Sequence, residues 1–327
     1  KYTTPYGIPP FEQIKVEHYK PAFIKGMEEH KKEIDAIVNN KKPATFENTI
    51  AALDRSGELL NKVASVFYGQ NSACTSDEMQ AVSREISPLL SQHSDDITMN
   101  AALFKRVKYV YDHQSEEKLD KEQKKLLEET YKSFVRSGAN LNAEQQQRLR
   151  ELNAEISMLQ LTFGQNMLAE TNAFKLVVDN EADLAGLPQN LIANAAESAK
   201  EAGLEGKWVF TLHNPSVMPF LQYSERRELR ERMFKGYTSR GSHGNANDNR
   251  DIIRRLLKVR AEKAHLMGFK DYASMALDTR MAKTSDAVYE LLDQVWKPAL
   301  AKAKEELADI QTEMAKDGRD FEAEGWD

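Results

Sequence analysis

The chain has 327 residues, 41% of them hydrophobic and 29% charged, with a formal net charge of -6. That balance disfavours a general nucleic-acid binder, which needs a basic face, and no stretch reaches the ~18 continuous apolar residues of a membrane helix. A single cysteine, Cys74, excludes an intrachain disulfide, so the fold does not depend on oxidation.

The length suits two domains at roughly 100–200 residues each. Glycine and proline are sparse, at 15 and 10, so loops should be few or short. Residue 1 is Lys rather than Met. The compartment expected is cytoplasmic, with a periplasmic or exported setting if a signal segment was removed before Lys1.

Three apolar stripes open the chain. Phe23, Met27, Ile34 and Ile37 form the first, and Ile50, Leu53, Leu60, Ala64 and Phe67 the second. Met79, Val82, Ile86, Leu89, His93 and Ile97 form the third. Steps of three and four place such residues on one face of an α-helix. Thr75-Ser-Asp-Glu78 has the form of a capping box. Further helices are predicted over 101–113 and 121–137. Asn142 is a predicted N-cap with Gln145 at N3. After it, Leu149, Leu152, Ile156, Leu159 and Phe163 make a narrow seam suited to a long helix against a near-antiparallel neighbour.

The period then changes. Residues 174–178, FKLVV, and 208–212, WVFTL, are short and β-branched or aromatic. Lone strands leave backbone groups unpaired, so these two are predicted to pair with each other. A helix over 189–202 lies between them. The stretch after the second strand, residues 212–219, contains His213, Pro215 and Pro219 and reads as a turn, with helices resuming after Pro219. Ser224 is the predicted cap of a helix over 225–237. A helix over 247–267 ends at Gly268. A long helix begins near Thr284 and should kink at Pro298. The expected fold is mostly α: a multi-helix bundle with one small β-ribbon. Its regions are 1–172, helical; 173–223, the ribbon with an inserted helix; and 224–327, helical again.

None of the seven histidines begins a His-Glu-x-x-His motif, and no two are spaced i, i+4. One cysteine cannot build a cysteine zinc site. Glu262-Lys-Ala-His265 has the Glu-x-x-His spacing of di-iron bundles, but a second copy is missing. An exposed pair one turn apart is the preferred reading. His30 and His93 lie on apolar stripes and read as partly buried histidines with hydrogen-bond partners. His243 sits in Gly-Ser-His-Gly and reads as a solvated loop residue. There is no Gly-x-Ser-x-Gly elbow and no phosphate loop. His213 remains the one candidate for substrate contact, because it follows a strand; capping the next turn is its rival role. Composition and spacing thus describe a helical chain with no self-contained catalytic site.

Ordered stretches carry a further signal: "GIPPFEQIKVEHYKPAFIKGM", "FENTIAALDRSGELLNKVASVF", "LNAEISMLQLTFGQN", "LAGLP", "WVFTL", "YSERRELRERMFKGYTSRG" and "NDNRDIIRRLLKVRAEKAHLMGFKDYASMALDTRMAKTSDAVYELL". Together they resemble the thimet-oligopeptidase-like zinc metallopeptidases, the group with oligopeptidase A and neurolysin. Within it the resemblance leans to the bacterial peptidyl-dipeptidases, or dipeptidyl carboxypeptidases. The most specific block spans 247–292, with Arg260, Ala264, Gly268, Phe269, Tyr272, Ala273 and Met281 in order.

Family members are about twice this long, and their zinc motif lies in the second half. The resemblance therefore implies an N-terminal portion, with zinc and every catalytic residue on sequence outside this chain. It implies a parent enzyme in which zinc polarises the scissile carbonyl and activates water. Its substrate is an oligopeptide held in a channel between two helical halves, and this chain's partner is the catalytic half. The chain alone is expected to bind no zinc and to be inactive. A non-catalytic helical binding or scaffold protein, and an oligopeptidase A-like endopeptidase fragment, are the alternatives.

Overall fold

A computed structural model describes residues 3–327. Helices carry most of them, and the sheet they contain has two strands. The chain divides into two compact units. The first comprises Lys1–Leu161 with Leu256–Tyr272, the second Thr162–Arg255 with Ala273–Asp327.

The first unit begins with α1, Tyr19–Val38. The second apolar stripe, expected as one helix, is interrupted. It is split into a π-helical turn at Phe46–Ala51, a short α2 at Ala52–Asp54, and α3 at Glu58–Ala73. The break falls at Gly57, whose φ of 75° lies in the left-handed region that other residues avoid. Next come α4, Asp77–Thr98, and α5, Ala101–Asp112. Ser76, not Thr75, caps α4: its side chain accepts from the Met79 amide. The capping geometry is one residue later than the sequence motif suggested. Then α6 spans Lys121–Arg136 and α7 spans Ala143–Ala173. Asn142 and Gln145 exchange side-chain and backbone hydrogen bonds at 2.9 and 3.2 Å, the expected box.

Two apolar clusters hold this unit. Ile34 and Ile37 of α1 pack with Phe46, Ile50, Leu103, Phe104, Val107, Leu127 and Phe134. Phe67 of α3 meets Tyr19 and Phe23 edge-on at 4.9 and 5.4 Å, above Met79 and Ile86. Edge-to-face packing favours such rings beyond the area they bury.

In the second unit β1, Leu176–Val178, pairs antiparallel with β2, Trp208–Phe210, in the register Leu176 to Phe210 and Val178 to Trp208. The predicted pairing holds. Alternation puts Leu176 and Val178 inward with Phe210. Helix α8, Gln189–Glu201, covers them. Helix α9 occupies Asn214–Tyr223, where a proline turn was expected. Pro215 sits in its first turn, where a missing amide costs nothing, and Pro219 lies inside it, so both prolines belong to the helix rather than preceding it. Helix α10 is Arg227–Thr238, starting later than Ser224 predicted. Ser224 Oγ accepts from the Arg226 amide, just ahead of the helix.

Helix α11, Arg250–Leu266, starts after the predicted residue 247, because Asn245 and Asp248 make local turns instead. A short α12, Tyr272–Leu277, is followed by α13, Ser285–Lys316, capped by Thr284 and continuous through Pro298. Tyr289, Leu291, Leu292, Val295, Trp296, Leu307 and Ile310 of α13 are exposed.

Candidate functional site

His213 stands at the N-cap of α9 with extended backbone, and its carbonyl accepts the Ser216 and Val217 amides. Its side chain does not cap the helix. Nδ1 meets Thr211 Oγ1 and Nε2 meets Asn172 Oδ1, each at 3.0 Å, and the ring is exposed. Two neutral side chains therefore orient an accessible imidazole. Such a ring could donate to or accept from a ligand only by exchanging one of these partners.

Glu262 and His265 do not converge. Glu262 accepts both prongs of Arg148, and His265 Nε2 meets the Lys270 carbonyl at 2.9 Å. His30 and His93 are brought together: His30 Nδ1 and His93 Nε2 are 3.0 Å apart, and His30 Nε2 meets Ser56 Oγ at 3.1 Å. Burial pushes both imidazoles below their ordinary value. Among the described residues no group of three or more His, Cys, Asp or Glu side chains could hold a metal ion. The side chains present do not fit a zinc site.

His243 is an exposed loop residue, as expected, but both of its ring nitrogens have partners. Its Nδ1 bonds the carboxylate of Glu170, a buried residue of α7, and its Nε2 meets Ser239 Oγ at 2.8 Å. Asn245 and the Gly241 amide complete the shell around Glu170 and, with the hydrogen bond from Asn245 foremost, hold its carboxyl below the usual range. Serine, histidine and glutamate stand in the order of an acyl-transfer triad. The chemistry does not follow. Ser239 donates its only proton to the Lys235 carbonyl, at the C-terminal end of α10, where carbonyl dipoles oppose an oxyanion. The cluster pins the loop at residues 239–249 to α7.

One polar cavity lies wholly in the first unit. It has a volume of about 460 Å³ and is lined by α4, α7, the end of α6 and Lys263 of α11. Asn153 bridges two opposite charges inside it: its Nδ2 donates to Asp95 Oδ1 at 2.8 Å, and its Oδ1 accepts from Lys263 Nζ at 2.6 Å. Burial pushes the Asp95 carboxyl up and the Lys263 ammonium down, so both charges are poorly solvated. Ser87 and Ser157 on its wall are hydrogen-bonded to each other at 2.5 Å. Sequence reasoning passed over these residues. The available signal was Ser83, Ser87, Ser91 and Asp95 at steps of four on α4, a small polar stripe beside the apolar one. The partners on α7 and α11 carried no sequence mark.

Residues 220–327 match peptidase family M3. The chain is 39% identical to the dipeptidyl carboxypeptidase of Escherichia coli K12 over 99% of its own length and 48% of that protein. It is 34% identical to the oligopeptidase A of Haemophilus influenzae, over 98% of the chain and 47% of the relative. The thimet-like oligopeptidase of Dictyostelium discoideum is 26% identical over 86% of the chain and 41% of the relative. The chain spans about half the length of the curated relatives it matches. Over nearly all of its own length the chain is similar to a dipeptidyl carboxypeptidase and to an oligopeptidase A, and residues 220–327 carry the match to peptidase family M3.

Proposed function

We propose that this chain is the non-catalytic, N-terminal portion of a zinc peptidase that releases C-terminal dipeptides from oligopeptides. In this reading it forms one wall of the substrate channel. The observation that carries the reading is the 39% identity to a dipeptidyl carboxypeptidase over 99% of this chain, against 48% of that relative. In this reading the zinc of the parent enzyme belongs to the portion of the relatives that this chain does not match. The exposed apolar row on α13 offers a surface for the catalytic half, since such rows mark interaction sites. His213 is assigned to the channel wall, as an oriented polar contact for the peptide. A cytoplasmic setting belongs to the same proposal, and cell fractionation tests it.

The test compares the chain alone with a chimaera in which it replaces the matching portion of the E. coli dipeptidyl carboxypeptidase. The chain alone is expected to hold no stoichiometric zinc and to cleave no blocked oligopeptide. The chimaera is expected to release dipeptides in a chelator-sensitive reaction. Zinc near one equivalent on the isolated chain, with dipeptide release, would overturn the reading. Cleavage by the chimaera at internal bonds alone would favour the oligopeptidase A alternative, which the 34% identity keeps open.

A further inference from the structure

The cavity around Asp95 and Lys263 has the makings of a ligand site that the peptidase reading does not use. Helical interiors are normally closed by apolar side chains packed to high density. Here the hollow persists because α4 presents small hydroxyl side chains toward it, and the volume of about 460 Å³ falls within the range of small-molecule sites. Unlike a plain water pocket, it contains an acid and a base held in fixed relation by one amide.

Each of those charges has unused hydrogen-bonding capacity. Asp95 is only 6% exposed. Its Oδ1 is taken by Asn153, whereas Oδ2 accepts no hydrogen bond from the described residues. Lys263 Nζ gives one of its three protons to Asn153 and none to another described residue. Arg136, at the end of α6, adds a second positive charge that bears on Lys263. Neither Asp95 Oδ2 nor Lys263 Nζ is sealed from solvent, so both open valences can be reached by a ligand. A ligand with both charges fills them at once, whereas a ligand with one charge leaves the other end unmet.

We infer that this cavity binds a small zwitterion, with its ammonium on Asp95 Oδ2 and its carboxylate on Lys263 Nζ. Free amino acids and dipeptides share that chemistry. Tyr68 and Leu149 on the cavity wall give a side chain of the ligand something to lie against. Asn153 acts as the spacer: by holding both charges it sets the distance between the two anchoring points and keeps them from collapsing into a direct ion pair.

The test is isothermal titration of the 327-residue chain with alanine and with alanyl-alanine, each beside its N-acetylated and C-amidated analogue. At least one free zwitterion is expected to bind saturably. Removal of either terminal charge should weaken it at least tenfold. Comparing alanine with alanyl-alanine tells which length fits. In Asp95→Asn, an isosteric change, the preference for the free amine over the acetylated form should fall toward one. In Lys263→Met the preference for the free carboxylate over the amide should do the same. Absence of saturable binding by both zwitterions overturns the proposal. So does equal binding of the one-charge analogues, which would mark a plain anion or cation site. Circular dichroism checks that the variants fold; should either fail, the analogue ratios with the unaltered chain decide alone. No turnover is measured, so the outcome is independent of whether the chain belongs to a peptidase.

Discussion

Arg148 of α7 grips Glu262 of α11 in a fork, with Nε 2.6 Å from Oε1 and Nη2 3.0 Å from Oε2. Both carboxylate oxygens are occupied by one planar guanidinium, the geometry that makes arginine a carboxylate clamp. A metal at Glu262 would have to displace it. Glu262→Gln is therefore expected to leave bound metal unchanged by elemental analysis; loss of an iron equivalent would contradict the clamp. The pair is solvent-accessible, so its contribution to thermal stability should be small and should shrink further in high salt.

Gly186 and Gly203 both have left-handed backbone, with φ of 83° and 71°. Their surroundings differ. A Cβ at Gly186 would lie 2.2 Å from the Tyr223 carbonyl and 2.9 Å from Glu225, whereas one at Gly203 meets nothing within 4 Å. Gly203→Ala should cost the backbone strain alone, about 1–2 kcal/mol. Gly186→Ala should add an overpacking cost of about 1–3 kcal/mol. Urea unfolding of the two variants measures the gap. Equal losses would mean that the loop before α8 yields freely.

The His30–His93 contact makes stability depend on pH. Burial lowers both rings below the ordinary value of 6.5. The folded state thus disfavours their protonation relative to the unfolded chain. Their contribution is fully present above about pH 6.5 and is lost as pH falls through the lower folded-state values. Glu33 beside His30 and Asp96 beside His93 oppose the shift, while Lys31 adds to it at His93. Replacing His93 by Gln should flatten the fall in unfolding midpoint between pH 6.5 and 5. An unchanged slope would assign the fall to other groups.

Phe210 of β2 is fully buried and packs on Phe220 of α9 with ring centres 4.7 Å apart. Phe210→Ala removes the ring that joins ribbon to helix and should cost about 3–5 kcal/mol in chemical unfolding. A loss under about 1 kcal/mol would show that α8 and α9 close the gap.

Local signals were legible where local physics sufficed. The Asn142–Gln145 box, the helices of α1 and α4, and the pairing of β1 with β2 all rest on neighbours in sequence or on the need to satisfy backbone groups. The failures are of one kind. The stripe from Ile50 to Phe67 keeps its period, yet Gly57 lets the backbone turn, and periodicity does not register a change of direction. Pro215 and Pro219 read as a break, yet Pro215 falls in the first turn, which accepts a proline, and α9 runs on through Pro219.

The sequence by itself determined the mostly helical class, the small ribbon and the likeness to dipeptidyl carboxypeptidase and oligopeptidase A, because helix period, strand alternation and ordered motifs are all written along one dimension. Tertiary structure alone decided which charges meet. Asp95, Asn153 and Lys263 come from three helices, and Glu170 of α7 meets His243 of a distant loop. Hydrogen bonds and burial act through space, so a carboxylate's partner is set by helix packing rather than by the residues beside it.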